Sequence, residues 1–323
     1  MGDQESEGEA VIPVIIMHGG ARVPASGNYQ ETLKQCLKKG LEILRGGGSG
    51  LNAVEAAIVM AEDSGVFNAG SGSHLNLAGE MEMDAAIMEG GNLHSGAVAV
   101  IPRVKNPIRV ARKVMEDTDH VLMAGEGAYR FARAAGLDEE VSRNPKRLEE
   151  WDKLKQELKK SGKLTGINLP DPEKLKKWLI HEESTVGAVA IDGQRNIAVA
   201  ISSGGTPMKL PGRVGDVPIL GCSFFAHNPI GGVSLTGTGN IMIKRATARW
   251  IVQLMAQGIC VQKAVESVVD TLNRQYDPMV LGVVALDSAG NFGAARNLEG
   301  MPHCYQSVDM NEPIEKFAPV LKR

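Results

Sequence analysis

The texture of the chain changes abruptly between Ser184 and Thr185. Upstream, residues 146–177 carry ten basic and six acidic side chains among scattered apolar ones, and Gly162, Gly166 and Pro170 break any helix there. Leu154, Leu158, Leu175, Trp178 and Leu179 mark helical pieces, but the stretch 138–184 reads as a solvated, mobile linker. Downstream, Thr185-Val-Gly-Ala-Val-Ala-Ile191 is a short run of small and β-branched residues that ends at Asp192-Gly193. Asn196-Ile-Ala-Val-Ala-Ile201 repeats the pattern, so the two runs read as buried strands joined by a tight turn. Buried strands connected in this way need a sheet with cover, which already excludes a helical bundle or a disordered chain.

The same texture recurs along the sequence. Residues 280–286 and 292–296 form a second such hairpin around Asp287-Ser-Ala-Gly-Asn291. Val11-Ile-Pro-Val-Ile-Ile-Met17 reads as a buried strand entering the loop His18-Gly-Gly-Ala21. Leu33, Cys36, Leu37, Leu41 and Leu44 share one helical face over residues 29–45, and Gly46, Gly47, Gly48 and Gly50 end that helix. Further helices are expected near 52–63, 107–116, 126–135, 240–257 and 261–273, and strands near 80–88, 95–101 and 232–235. Phe67-Asn-Ala-Gly-Ser-Gly-Ser73 is too glycine-rich for either element and reads as a shaped loop. Hairpins with interspersed helices predict a mixed, largely antiparallel sheet covered by helices, not a parallel doubly wound one.

Composition removes several functions. Lys plus Arg (35) nearly balance Asp plus Glu (38), so no basic surplus points to nucleic acid. The longest apolar run is interrupted by Pro13 and is far too short for a membrane span. Cys36, Cys222, Cys260 and Cys304 are dispersed, which argues for buried reduced thiols rather than zinc or a disulfide framework. The acidic first ten residues lack the blocks of a signal peptide. Gly2 with Ser6 fits a myristoylation pattern, but Asp3 and Glu5 oppose an anionic membrane, so a cytoplasmic location is expected. No phosphate-binding GxxxxGK[ST], HExxH or GxSxG motif occurs, and Gly237-x-Gly239 has Met242 where a dinucleotide fingerprint needs a third glycine. Any hydrolysis must use another device.

Thr185 offers one. A threonine hydroxyl is a weak nucleophile that needs a base close by. If the bond after Ser184 were cut, the new α-amine of Thr185, titrating near pH ~7.7–8, could take the proton from its own Oγ. Gly212-Arg-Val-Gly-Asp216 places a guanidinium, able to clamp a carboxylate through two parallel hydrogen bonds, three residues from a carboxylate that would meet an ammonium. The plainer reading is a surface ion pair in a turn. Thr236-Gly-Thr-Gly239 follows a strand and precedes a helix, where backbone N–H groups and hydroxyls can face a developing oxyanion, or simply turn the chain.

These segments, together with His18-Gly-Gly-Ala21, Phe67-Asn-Ala-Gly-Ser-Gly72, Met83-Asp-Ala85 and Thr185-Val-Gly-Ala-Val189, resemble the plant-type (N-terminal nucleophile) L-asparaginase and isoaspartyl peptidase family. The six matches fall in order over essentially the whole chain. The resemblance implies one α+β domain, an αββα sandwich of two stacked, mainly antiparallel sheets flanked by helices. It implies self-cleavage between Ser184 and Thr185 by an N-to-O acyl shift, giving an α chain of residues 1–184 and a β chain of residues 185–323, paired as a homodimer of αβ protomers. It implies Thr185 as nucleophile, with Ser203 and Asn68 near it and an oxyanion hole from the Thr236 hydroxyl and the Gly237 amide. Arg213, Val214, Gly215, Asp216, Thr236, Gly237, Thr238 and Gly239 would bind an asparagine or β-aspartyl dipeptide substrate. No catalytic cofactor is implied, but a structural sodium ion is, held by backbone carbonyls of Ala61, Glu62, Ser64, Phe67, Ala69 and Ser71.

The chain departs from the family pattern at three places. Ser184 replaces the usual glycine before the nucleophile, where a strained peptide must form. Ser203 replaces a threonine, and Asn240 replaces a common glutamate and reads as a helix N-cap. Relatives acting on glycosylated asparagine or cleaving after aspartate, and an unprocessed aspartate-binding protein without catalysis, are the competing readings.

Overall fold

The alternation of short apolar strands and turns produces two stacked sheets in the computed structural model, which describes residues 11–137, 139–160 and 185–322. The first half supplies β1 (Val14–His18), α1 (Gly27–Arg45), α2 (Gly50–Asp63), β2 (Met83–Glu89), β3 (Ser95–Ile101), α3 (Pro107–Asp117), β4 (Leu122–Ala124), α4 (Gly125–Ala134) and α5 (Pro145–Lys160). The second supplies β5 (Val186–Ile191), β6 (Ile197–Ser203), β7 (Phe224–His227), β8 (Gly231–Gly237), α6 (Gly239–Arg245), α7 (Thr247–Ala256), α8 (Val261–Gln275), β9 (Leu281–Asp287), β10 (Phe292–Arg296), β11 (His303–Ser307) and β12 (Ile314–Glu315). The larger sheet runs β12-β11-β1-β5-β6-β2-β3-β4 and the smaller β10-β9-β8-β7. All neighbours pair antiparallel except β3 and β4.

Side-chain size along β5 and β6 sorts the layers. Successive strand residues face opposite ways. Val186, Ala188 and Ala190, with Ala198 and Ala200, pack in the cluster that includes Val54, Ala57 and Ile58 of α2. Small residues there let the helices lie close to the sheet. Val189, Ile191, Ile197, Val199 and Ile201 point the other way, into a second core with Val233, Leu235 and Val283 of the smaller sheet, which Ile251, Val265 and Val268 of α7 and α8 cover from outside. The result is the expected αββα sandwich. The turn between β5 and β6 does two jobs: Asp192 Oδ1 accepts from the amides of Gln194 and Asn196 (both 2.9 Å), and Oδ2 accepts from Gly50 N at the start of α2 (3.0 Å).

Gly232 lies at a close approach of the sheets. A Cβ there would lie 2.8 Å from both Ile197 Cγ2 and Val189 Cγ1. Those methyls belong to stiff β-branched side chains in a filled core, so Gly232→Ala is expected to destabilise the fold by about 1–3 kcal/mol. A lower urea midpoint with unchanged slope would register it, and an unchanged midpoint would refute it.

Several expectations change. Of the stretch expected to be a linker, residues 145–160 are α5, docked through Arg147 Nε on Gly72 O (2.8 Å) and Trp151 Nε1 on Asn76 O (2.9 Å). These two side chains, four residues apart, lie on one helical face, which the dense charge around them conceals. Ser184, Leu175, Trp178 and Leu179 lie outside the described residues, as do Gly2 and Ser6. The helix expected over 240–257 is two helices separated by Ala246 in the left-handed region (φ 45°), because the amides of Ala248 and Arg249 donate to Cys222 O and Gly221 O. Cys36, Cys222 and Cys304 are buried free thiols, whereas Cys260 is exposed. Strands β4, β7, β11 and β12 were not anticipated, since none carries the apolar alternation of a strand. Among the described residues, no helix is long and apolar enough to cross a membrane.

Candidate active site

Four strand ends meet along one edge of the larger sheet. His18 ends β1, Thr185 precedes β5, Ser203 ends β6 and Asp84 lies near the start of β2. Val186 pairs with Ser202, so the register sets Thr185 opposite Ser203, and Ser203 in turn pairs with Asp84. With strands ~4.8 Å apart, Asp84 lies about 10 Å from Thr185 across the sheet.

The smaller sheet contributes Thr236, fully buried on β8. Its Oγ1 accepts from Ala21 N at 3.0 Å and from Thr185 N at 3.3 Å. With two donors on the oxygen, its single proton is free to be donated elsewhere. Thr185 is itself 7% exposed. Thr238 is committed to the turn instead: its amide donates to Val280 O (2.8 Å) and its Oγ1 accepts from Val280 N (2.9 Å). Thr238, and not Asn240, occupies the N-cap of α6; Asn240 is an exposed residue within the helix.

Asn68 and Ser203 hold the adjacent loop. Asn68 Nδ2 donates to Gly205 O (2.7 Å), its Oδ1 accepts from His74 N (2.9 Å), and Ser203 Oγ accepts from Gly205 N (3.0 Å). Both side chains therefore clasp the turn that follows β6.

Asp84 anchors the loop that carries Arg213, Val214, Gly215 and Asp216. Its buried carboxylate accepts from Val100 N (2.7 Å) and from Gly215 N (3.1 Å), while Glu82 accepts from Gly212 N (3.0 Å). Asp216 is buried beside the start of α6, and a Cβ on Gly239 would fall 2.1 Å from its Oδ1, so only glycine fits there. Asp216 Oδ2 is buried without a partner among the described residues. Burial pushes the Asp216 carboxyl up to about 6, against the opposing pull of the Arg213 guanidinium.

Sequence reasoning named His18 and Asp84 only as motif letters and missed Lys209. His18 is buried, its Nε2 is 2.8 Å from Ser234 Oγ, and burial pulls it down to about 3, so the ring is neutral below β5. Lys209 is almost completely buried and donates to Glu82 O at 2.6 Å. Burial lowers its pKa, and the Asp84 carboxylate opposes that shift. No spacing rule flags a buried lysine, which only the fold reveals.

The carbonyls proposed for sodium curl around the 61–72 loop. Ala61 O accepts from Ser64 Oγ (2.7 Å), Glu62 O from Ser71 Oγ (2.8 Å), Phe67 O from Ala69 N (2.9 Å) and Ala69 O from Gly72 N (3.1 Å). The Glu62 carboxyl is buried and accepts from Ser202 Oγ (2.7 Å), and burial pushes it up to about 8. Among the described residues no group of three His, Cys, Asp or Glu side chains could hold a metal.

Comparison with known proteins agrees with this layout. A family model described as asparaginase matches residues 11–314. The chain is 42% identical over 311 residues to the plant-type L-asparaginase of Pyrococcus abyssi, covering 93% of this chain and 98% of that protein. It is 38% identical over 300 residues to the isoaspartyl peptidase/L-asparaginase of Homo sapiens, covering 90% and 92%. It is 39% identical over 289 residues to the Xenopus laevis protein of that name, covering 87% and 88%. With a match that spans every element carrying the site, this chain belongs to the asparaginase family.

Proposed function

We propose that this chain is an amidohydrolase that cuts itself before Thr185 and then releases ammonia from L-asparagine, hydrolyses β-aspartyl dipeptides, or does both. The carrying observation is the placement of Thr185: buried at the head of a central strand, with its nitrogen 3.3 Å from a threonine hydroxyl that has a proton to give. In the first step Thr185 Oγ attacks the carbonyl of Ser184. The Ser184–Thr185 C–N bond breaks as the ester forms, freeing the α-amine of Thr185 with the proton from Oγ, and water then hydrolyses the ester to release the Ser184 carboxylate and regenerate Oγ. In turnover that amine takes the Oγ proton as Oγ attacks the substrate's side-chain amide carbon. The Thr236 hydroxyl and the Gly237 amide receive the oxyanion. The tetrahedral species collapses, the leaving nitrogen takes the proton from the amine, and a β-aspartyl ester on Thr185 remains. Water hydrolyses that ester and aspartate departs.

Arg213 would clamp the α-carboxylate, and the unpartnered Asp216 Oδ2 would accept from the α-ammonium. Together they select a free amino-acid head. Gly239 leaves space beside Asp216, and Val214 and Gly215 shape the loop between the two charges. Because Asp216 ionises only above about 6, the dissociation constant of L-aspartate should rise as pH falls below that value. The rise should approach tenfold per unit, since one proton competes with the ammonium. Titration calorimetry from pH 5 to 8 would show it, and a flat profile would remove Asp216 from this role.

A sodium ion would be held by the carbonyls of Ala61, Glu62, Ser64, Phe67, Ala69 and Ser71, of which those of Glu62, Phe67 and Ala69 keep a second lone pair beyond the hydrogen bond each accepts. Its part is to stiffen the loop that ends in Asn68. The working unit is a homodimer of two-chain protomers, acting on small molecules and not on nucleic acid or membranes. Free thiols at all four cysteines suit a reducing, cytoplasmic setting. The reading is tested by incubating the purified protein, identifying the first residue of the smaller fragment, and assaying asparagine, β-aspartyl-leucine and a glycosylated asparagine. Threonine at the fragment's start with turnover of one or both of the first two substrates supports it. A fragment starting elsewhere in an active preparation, or turnover of the glycosylated substrate alone, overturns it.

A further inference from the structure

We infer that the cavity beside Ala21 is a subsite for the leaving part of a β-aspartyl dipeptide, with Arg22 receiving the free carboxylate of that leaving amino acid. The inference rests on the amidohydrolase reading and adds a specificity determinant to it.

Position comes first. Across the sheet edge the strand ends follow the order His18, Thr185, Ser203, Asp84. The Arg213–Asp216 loop is tied to Asp84 through Gly215, so the amino-acid head of a substrate lies on the β2 side of Thr185. An amide held by its head on that side and attacked at Thr185 sends its leaving group to the opposite side. There β1 ends, and the chain continues through Gly19, Gly20 and Ala21 into Arg22.

Ala21 connects this side to the reacting centre. Its amide donates to Thr236 Oγ1 at 3.0 Å, the same hydroxyl that lies 3.3 Å from Thr185 N. Ala21 also lines a cavity of about 90 Å³ together with Arg22, Tyr29, Val66 and Arg147. One wall, Tyr29, packs against Phe67 with ring centroids 6.3 Å apart, and the strand end leading into Ala21 is held where Gly19 N donates to Pro302 O at 2.9 Å.

Charge completes the argument. Arg147 is committed, through Nε to Gly72 O (2.8 Å) and through Nη1 to Glu150 (2.8 Å). Arg22 is exposed, and no hydrogen bond or ion pair engages its guanidinium among the described residues. Its backbone sits at φ 60°, a conformation that costs a non-glycine residue energy and that glycine adopts freely. A strained arginine without a partner, at the rim of a cavity one residue from the oxyanion threonine, fits a ligand that brings its own carboxylate. The leaving group of a β-aspartyl dipeptide does so. The ammonia that leaves from asparagine does not.

The test compares β-aspartyl-leucine with β-aspartyl-leucinamide, in which the carboxylate is neutralised, using processed wild type, Arg22→Gly and Arg22→Lys. Glycine suits the left-handed backbone, so the fold should be retained, which a thermal midpoint near that of wild type would verify. In Arg22→Gly the ratio of kcat/KM for the acid to that for the amide should fall about tenfold, mostly through KM, because one charge-assisted pair is lost. Arg22→Lys should recover part of the ratio. An unchanged ratio in Arg22→Gly overturns the subsite while leaving the amidohydrolase reading intact. Folded wild type that hydrolyses neither dipeptide overturns the subsite, and one that also spares asparagine overturns both.

Discussion

Thr185→Ala should leave the chain as one band of 34.4 kDa on denaturing electrophoresis and lower ammonia release by roughly 10⁴-fold or more. On the proposed mechanism the substitution removes the oxygen that attacks, both in the cut and in turnover. It should not disturb the fold, because Thr185 precedes β5 and its amide, which reaches Thr236, is kept. Mass spectrometry of the incubated variant gives the first readout and coupled detection of ammonia the second. Cleavage at the same bond in Thr185→Ala, or surviving turnover, would place the nucleophile elsewhere. Thr185→Ser should retain both functions at a lower rate, since the hydroxyl survives and only the methyl that restricts its rotamer is lost.

The next largest effect is expected at Thr236. Thr236→Val keeps the shape and removes the hydroxyl, so kcat should fall about 10²–10³-fold while KM changes little. The same substitution leaves the buried Ala21 amide without its acceptor, which costs about 1–3 kcal/mol in stability. The two consequences separate in Thr236→Ser, which restores the acceptor and the proton together. If Thr236→Val lowers stability but not kcat, the hydroxyl braces Ala21 and has no part in the oxyanion hole.

Much of this architecture was legible in the sequence because its strands carry their own layering. The small residues of β5 and β6 that face α2, and the β-branched ones that face β8, are set out in alternating order, and Asp192-Gly193 supplies the turn. β11 was illegible for the opposite reason. His303-Cys-Tyr-Gln-Ser307 has no alternation of its own and becomes a strand by pairing with β1. The site divides likewise. Motif order singled out Thr185, Arg213, Asp216 and Thr236 as candidates, because their residue types announce their chemistry. It could not show that Asp84 holds the Gly215 amide, that Lys209 is buried, or that His18 meets Ser234, since each contact joins residues more than one hundred positions apart. Asn240 misled because a good capping residue lay one turn position inside the helix that Thr238 begins.

The strand order has a consequence for the proposed cut before residue 185. In the larger sheet, strands from before the division (β1, β2, β3 and β4) are interleaved with strands from after it (β12, β11, β5 and β6). β5 is hydrogen-bonded to β1 on one side, and β6 to β2 on the other. The smaller sheet lies wholly after residue 185, but neither piece would own the larger one, so the proposed two-chain molecule would be in effect an obligate heterodimer assembled while still a single polypeptide. The two halves of such a molecule would stay together for want of a separate folded state, and once unfolded they would have to find each other by diffusion, a search an uncut chain never makes.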